Sequence, residues 1–143
     1  MSLHIRTRIM LIIISLALLA GVALASQASA ETIAVIGTGR VGGALGPRFA
    51  EIGYTVVYGS RTPEADRVQE LVARTGIDAS AASQHEAAQQ AELIMLAVPW
   101  HVTEQVIKNL GNLDGKIIMD ATNALDFAAD GMLEVSVDSS AGE

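Results

Sequence analysis

The stretch Thr32-Ile33-Ala34-Val35-Ile36-Gly37-Thr38-Gly39-Arg40-Val41-Gly42 constrains this chain more than any other part of it. A short apolar run of β type reads as a buried strand, and the glycines that follow it, spaced G-x-G-x-x-G, read as a turn that holds a phosphate. Each glycine has its own reason. Gly37 makes the tight turn, Gly39 admits a pyrophosphate to the backbone, and Gly42 lets the next helix pack on the strand. The anion then sits at a helix N-terminus, where backbone amides and the helix dipole favour it. Alone the spacing is a weak signal in a chain with 13 glycines among 143 residues. A doubly wound domain can also keep such a turn for packing only, so the context of the motif decides.

That context is an alternation of strands and helices. Thr32 to Ile36 is the first strand, and Arg40 to Ile52 the first helix, stopped by Gly53; Pro47 inside it is expected to kink the helix or restrict its first turns. Tyr54 to Tyr58 is an unbroken β-branched and aromatic strand suited to burial on both faces. Pro63 is expected to open a second helix that runs to about Arg74, followed by a short strand from Ile77 to Ala79. Ser83-Gln84-His85-Glu86 has the form of a capping box and starts a helix to Gln90. Glu92 to Val98, closed by Pro99, is the fourth strand; Val102 to Leu110 is a helix, and Lys116 to Asp120 the fifth strand. Such alternation predicts an α/β fold of three layers, a Rossmann-type doubly wound parallel sheet with strand order 3-2-1-4-5 and right-handed crossovers.

Residues 1–30 stand apart from this pattern. His4, Arg6 and Arg8 precede an apolar run from Ile9 to Ala25, and Ala28-Ser29-Ala30 follows, which is the three-part form of a secretory signal peptide cleaved after Ala30. The alternative is an uncleaved anchor, because the run is near the ~17-residue minimum for a bilayer span. Either way the domain is expected outside the cytoplasm, periplasmic or secreted, with membrane contact only through an uncleaved segment. Thr7 separates the two arginines, so Sec-type export is the simpler expectation. The rest divides into a nucleotide-binding domain at 31–125 and a partial C-terminal segment at 126–143. Beyond residue 30 there are seven basic against sixteen acidic residues, a balance of −9. With two lysines in the whole chain, that balance argues against nucleic acid as a partner. It does not exclude an anionic dinucleotide, since charges beyond about 8 Å are largely screened at physiological salt. There is no cysteine, hence no thiolate catalysis or Cys-type metal site, and the carboxylates at Asp126, Asp130, Glu134 and Asp138 lack histidine partners at ligand spacing, so no metal is expected.

The end of the second strand selects the nucleotide. NAD-binding domains place Asp or Glu there against the ribose 2′-hydroxyl, whereas this chain has Gly59-Ser60-Arg61. A carboxylate repels a 2′-phosphate; a hydroxyl and a guanidinium can both hydrogen-bond it, so NADP is favoured over NAD. The competing reading of Arg61 is a solvated residue at a helix start. Thr38 and Arg40, in the glycine turn, can also reach the phosphate side.

Ile36-Gly37-Thr38-Gly39-Arg40-Val41-Gly42, Tyr58-Gly59-Ser60-Arg61, Leu96-Ala97-Val98-Pro99-Trp100 and Asp120-Ala121-Thr122-Asn123, in that order, resemble the coenzyme F420-dependent NADP oxidoreductase family, deazaflavin-linked reductases. The resemblance covers about residues 32–125. It implies NADP(H) held by Gly37, Thr38, Gly39, Arg40, Val41 and Gly42, with Ser60 and Arg61 on the 2′-phosphate. It further implies that Val98, Pro99 and Trp100 lie along the nicotinamide, with Asn123 near it, and that coenzyme F420 is the second substrate. Two positions depart from the family pattern: Ala65 stands where some members carry a lysine, and Ala124 where proline is common.

Hydride transfer between two stacked rings needs no side-chain proton exchange, and no catalytic side chain is assigned. His101 can approach a bound ring or simply be a solvated helix-start residue; Trp100 can pack at the rim or serve as a stacking platform. Two other readings stand beside the deazaflavin one: an NADP-dependent reductase of imine, ketone or metal substrates, and a non-catalytic exported nucleotide-binding protein. Few residues follow the fifth strand, so the chain reads as a cofactor-binding half: a truncated gene product, a fragment, or a subunit completed by another chain, with a homodimer or a completing subunit as the partner to expect.

Overall fold

A computed structural model describes residues 30–138, so the expected leader, apart from Ala30, lies outside the described residues. Five strands, β1 (Thr32–Ile36), β2 (Thr55–Ser60), β3 (Ala79–Ser83), β4 (Leu93–Leu96) and β5 (Ile117–Asp120), form a parallel sheet in the order β3-β2-β1-β4-β5. Four helices connect them: α1 (Arg40–Glu51), α2 (Asp66–Thr75), α3 (Gln84–Gln90) and α4 (Trp100–Asn109). The fold is the α/β, Rossmann-like one that the alternation of the sequence predicts.

β1 lies at the centre because it can be buried on both faces: Ile33, Ala34, Val35 and Ile36 are fully inaccessible. Its register aligns Ile36 with Gly59 of β2 and with Leu96 of β4, so three strand ends reach one edge of the sheet together. Side chains alternate between the two faces. Ala34 and Ile36 join Val57, Ala87, Ile94, Leu96, Val106 and Leu110 on the side covered by α3 and α4. Ile33 and Val35 join Val56, Tyr58, Leu71 and Met95 on the side covered by α1 and α2.

α1 approaches the sheet through buried Gly42 and Gly46, one turn apart. A Cβ on Gly46 would overlap the hydroxyl and ring of Tyr58. The Thr75 hydroxyl donates to the Leu71 carbonyl (2.8 Å), which leaves its oxygen to accept from the Tyr58 hydroxyl (2.7 Å). Pro47 does not break this helix. It cannot donate to the carbonyl of Gly43, and the Arg74 Nη2 of α2 donates there instead (3.0 Å), so the acceptor that proline orphans is satisfied from the neighbouring helix.

Several boundaries differ from expectation. β2 runs on to Ser60 because Gly59 and Ser60 still pair with Ala82 and Ser83. β3 starts at Ala79, not Ile77, which is 99% exposed. Pro63 belongs to a turn closed by the Ala65 amide donating to the Thr62 carbonyl (3.1 Å), and α2 begins only at Asp66. β4 spans four residues rather than seven, and α4 starts directly after Pro99. A β-hairpin, β6 (Leu125–Phe127) with β7 (Leu133–Val135), follows β5 across the boundary expected at residue 125; its turn contains Gly131 at φ 81°. Among the described residues no helix is long and apolar enough to cross a membrane.

Candidate functional site

At the carboxyl edge of the sheet lies a cleft of about 740 Å³. Gly37, Thr38 and Gly39 form one side of it, Ser60, Arg61, Thr62 and Arg67 a second, and Ala97, Val98 and Pro99 after β4 a third. α4 adds His101, Val102, Gln105, Val106 and Asn109, and α3 adds Gln84.

The three glycines have the separate roles that the spacing predicts. Gly37 has φ 113°, its amide donates to the Gly59 carbonyl (3.0 Å), and a Cβ there would overlap the Ala97 carbonyl oxygen. A Cβ on Gly42 would overlap the Gly37 carbonyl oxygen and come within 3.1 Å of Val35 Cγ1, so no larger residue lets α1 lie this close to β1. Around Gly39 there is nothing within 4 Å of such an atom. Gly39 is the N-cap of α1 with φ −80°, a conformation open to any residue, and no side chain caps the helix. Packing does not require this glycine. The open space beside uncapped helix amides does, once an anion has to approach them.

At the end of β2, Ser60 is 5% exposed and its Oγ accepts from the Thr62 amide (3.2 Å), leaving the hydroxyl hydrogen for a ligand. Arg61 follows, exposed, on the same cleft. Ala65, the departure from the family pattern, is the N-cap of α2, while Arg67 in the first turn of α2 lines the cleft. The capping box at the start of α3 is present: the Ser83 hydroxyl and amide donate to the Glu86 carboxylate (2.7 and 3.1 Å) and the Glu86 amide donates to Ser83 Oγ (3.2 Å). The Ser83 hydroxyl first, and its amide second, hold the Glu86 carboxyl below the usual range. That box fixes the chain at Gln84, the cleft residue beside it.

Of the expected site residues, Gly37, Thr38, Gly39, Ser60, Arg61, Val98 and Pro99 meet at this cleft. Gly42 supports the turn from below, and Arg40 and Val41 occupy the first turn of α1 outside the cleft lining. Trp100 opens α4 half-buried and does not line the cleft, whereas its neighbour His101 does. Asn123 is exposed between β5 and β6, also outside the lining; its carbonyl accepts from the Leu125 amide (2.7 Å). Residues that the sequence did not single out are Thr62, Arg67, Gln84, Val102, Gln105, Val106 and Asn109. Their positions on α4 recur at helical spacing, with the Gln105 amide donating to Asn109 Oδ1 (3.2 Å), and that periodicity is the signal available for them.

A cradle of this kind, a three-glycine turn at the strand ends of a 3-2-1-4-5 parallel sheet, defines a dinucleotide-binding domain of Rossmann type. Residues 32–124 match the family model described as NADP oxidoreductase, coenzyme F420-dependent, and the chain belongs to that family. It is similar to the F420-dependent NADP reductase of Methanothermobacter marburgensis, with 34% identity over 106 residues covering 69% of this chain and 47% of that one. The reductase of the same name from Methanothermobacter thermautotrophicus is also 34% identical, with 69% and 46% covered. The chain thus spans about half the length of the curated relatives it matches. Among solved structures, a candidate F420-dependent NADP reductase from Arthrobacter sp. FB24 superposes with a TM-score of 0.65 at 29% identity, covering 72% of this chain and 50% of that one. An imine reductase from Streptomyces aurantiacus superposes with a TM-score of 0.55 at 26% identity, covering 68% and 33%.

Proposed function

We propose that this chain binds NADP(H) in the cleft, pyrophosphate over Gly37–Gly39 and 2′-phosphate at Ser60 and Arg61, and presents the nicotinamide beside Val98–Pro99 for hydride exchange with coenzyme F420. One observation carries the cofactor reading. Among the described residues the cleft lining contains two arginines and no aspartate or glutamate, in a chain whose formal charge is −7. An NAD site of this fold keeps a carboxylate at the end of the second strand. Here a hydrogen-bonding hydroxyl and a guanidinium stand there instead, a set that attracts a phosphate dianion. The deazaflavin part rests on family membership and on the relatives' names. In that exchange NADPH loses a hydride, and the oxidised deazaflavin gains it together with a proton from solvent. The protein has only to hold the two rings face to face.

A second reading follows from His101 on the cleft wall. Reduction of an imine or ketone needs a proton donor, and imidazole can supply one. The two separate in one experiment: purified protein with NADPH and oxidised F420, followed by deazaflavin absorbance, against NADPH with a cyclic imine, followed at the nicotinamide band. Deazaflavin reduction supports the first reading. NADPH binding without deazaflavin turnover removes it for this chain on its own, and imine turnover lost in His101→Asn establishes the second. If neither acceptor is reduced, the chain acts as a nucleotide-binding module, alone or awaiting a completing subunit. Export is proposed on the form of residues 1–30, and a mature N-terminus at Glu31 in mass spectra of exported material tests it; an intact Met1 in the cytosol contradicts it.

A further inference from the structure

The cations of this chain are distributed unevenly in their bonding. Seven lie among the described residues, and four have partners away from the cleft. Arg48 pairs with Glu51, Lys108 pairs with Glu104, Arg74 donates to the Gly43 carbonyl, and Lys116 donates to the Ala91 carbonyl. Arg40, Arg61 and Arg67 have no hydrogen-bond or ion-pair partner among the described residues, and of these Arg61 and Arg67 line the cleft. They reach it from different elements, one directly after β2, the other from the first turn of α2.

We infer that Arg67 is a second cation of the 2′-phosphate subsite and a determinant of nucleotide specificity; this rests on the NADP reading of the cleft. A phosphomonoester carries close to two negative charges at neutral pH, its second ionisation lying near pH 6. Arg61 and the Ser60 hydroxyl neutralise about half of that charge. A second guanidinium lining the same cleft can neutralise the rest, each offering the phosphate a planar fork of donors. The placement of Arg67 is set by local structure. The Ala65 amide on the Thr62 carbonyl and the Gln69 side chain on the Pro63 carbonyl (2.8 Å) hold the 62–65 turn that leads into α2, whose first turn brings Arg67 to the cleft that Ser60 and Arg61 line. NADH carries an uncharged 2′-hydroxyl in place of the phosphate, so the contribution of Arg67 falls chiefly on NADPH.

The test is calorimetric titration of NADPH and NADH into wild type, Arg67→Ala and Arg67→Lys, with 31P spectra of bound NADPH recorded against pH. The expected result is an NADPH dissociation constant raised about tenfold in Arg67→Ala, the scale of one charge-assisted contact. NADH binding changes by less than about twofold, Arg67→Lys recovers part of the loss, and the bound 2′-phosphate titrates at higher pH in Arg67→Ala than in wild type. Wild type selective for NADPH, with Arg67→Ala equally selective or weakened equally toward both nucleotides, overturns the role of Arg67 and leaves the NADP reading standing. Wild type that binds both nucleotides equally overturns the NADP reading itself.

Discussion

Replacing Gly39 and Gly42 separately with alanine distinguishes a glycine kept for a ligand from one kept for packing. At Gly39 a methyl group meets nothing within 4 Å and the backbone, at φ −80°, already suits alanine. Alanine is a poorer N-cap than glycine, a loss of under about 1 kcal/mol, and it restricts the unfolded chain, a gain of about 0.4–1 kcal/mol; the two nearly cancel. Gly39→Ala is therefore expected to melt within about 3 °C of wild type, at the few degrees per kcal/mol usual for a domain of this size. Its methyl group fills the space in which a pyrophosphate approaches the helix amides. Loss of one such charge-assisted contact, about 1.5–3 kcal/mol, weakens NADPH roughly ten- to hundredfold. Gly42→Ala is the opposite case. Its methyl group overlaps the Gly37 carbonyl and crowds Val35, so α1 has to move off β1 at about 1–3 kcal/mol, and the melting temperature falls by roughly 5–15 °C. Circular-dichroism melts and calorimetric NADPH titrations of both variants decide the matter. A Gly39→Ala protein that binds NADPH like wild type, or that melts as low as Gly42→Ala, refutes this division of roles.

Three further outcomes follow from the same contacts. Arg74→Ala leaves the Gly43 carbonyl without its donor and costs about 0.5–1.5 kcal/mol by chemical denaturation; in Pro47→Ala, where the helix amide returns, the same change costs measurably less, and a purely additive double-mutant cycle contradicts the compensation described. Burial raises the Tyr58 pKa above 10.0, against opposing effects of the Thr75 hydrogen bond and of Arg74, so the folded state favours the neutral phenol. Its stabilising contribution is complete below about pH 10 and declines above that, so the stability advantage of wild type over Tyr58→Phe narrows as pH rises past 10. Ser83 depresses the Glu86 pKa, so the carboxylate half of the capping box stabilises fully above the ordinary carboxylate range and is lost as pH falls through the depressed pKa. Ser83→Ala is expected to lower the melting temperature at pH 7 by a margin that narrows, without closing, as pH falls through the depressed Glu86 pKa, because the Glu86 amide still donates to Ser83 Oγ in wild type.

Much of this architecture was legible in the sequence because its signals are local. The apolar run before Gly37, the β-branched run at Thr55–Tyr58 and the capping box at Ser83 each state their own structure within a few residues. What was not legible depends on partners far along the chain. β3 is made of alanine and serine, which carry little strand preference, and it exists because Val56 to Ser60 offers it a ladder. The hairpin of β6 and β7 crosses the domain boundary expected at residue 125, and its pairing joins Leu125 to Val135, ten residues further along the chain. The cleft divides in the same way. Gly37, Gly39, Ser60 and Arg61 are recognisable by motif, since strand ends place them directly. Arg67, Gln105 and Asn109 reach the cleft only through where their helices start and how they are rotated; α2 starts at Asp66 rather than Pro63, nearly a full turn later, and α4 starts at Trp100 rather than Val102. Trp100 shows the converse: next to Pro99 in sequence, it lies outside the lining that His101 joins.

The most direct test of the central claim is a paired titration of unmodified protein with NADPH and NADH at fixed ionic strength. A cleft lining with two unpartnered arginines and no carboxylate among the described residues predicts a dissociation constant for NADPH at least about tenfold below that for NADH, a preference that Arg61→Ala reduces about tenfold. Equal affinities for the two nucleotides in the unmodified protein contradict it.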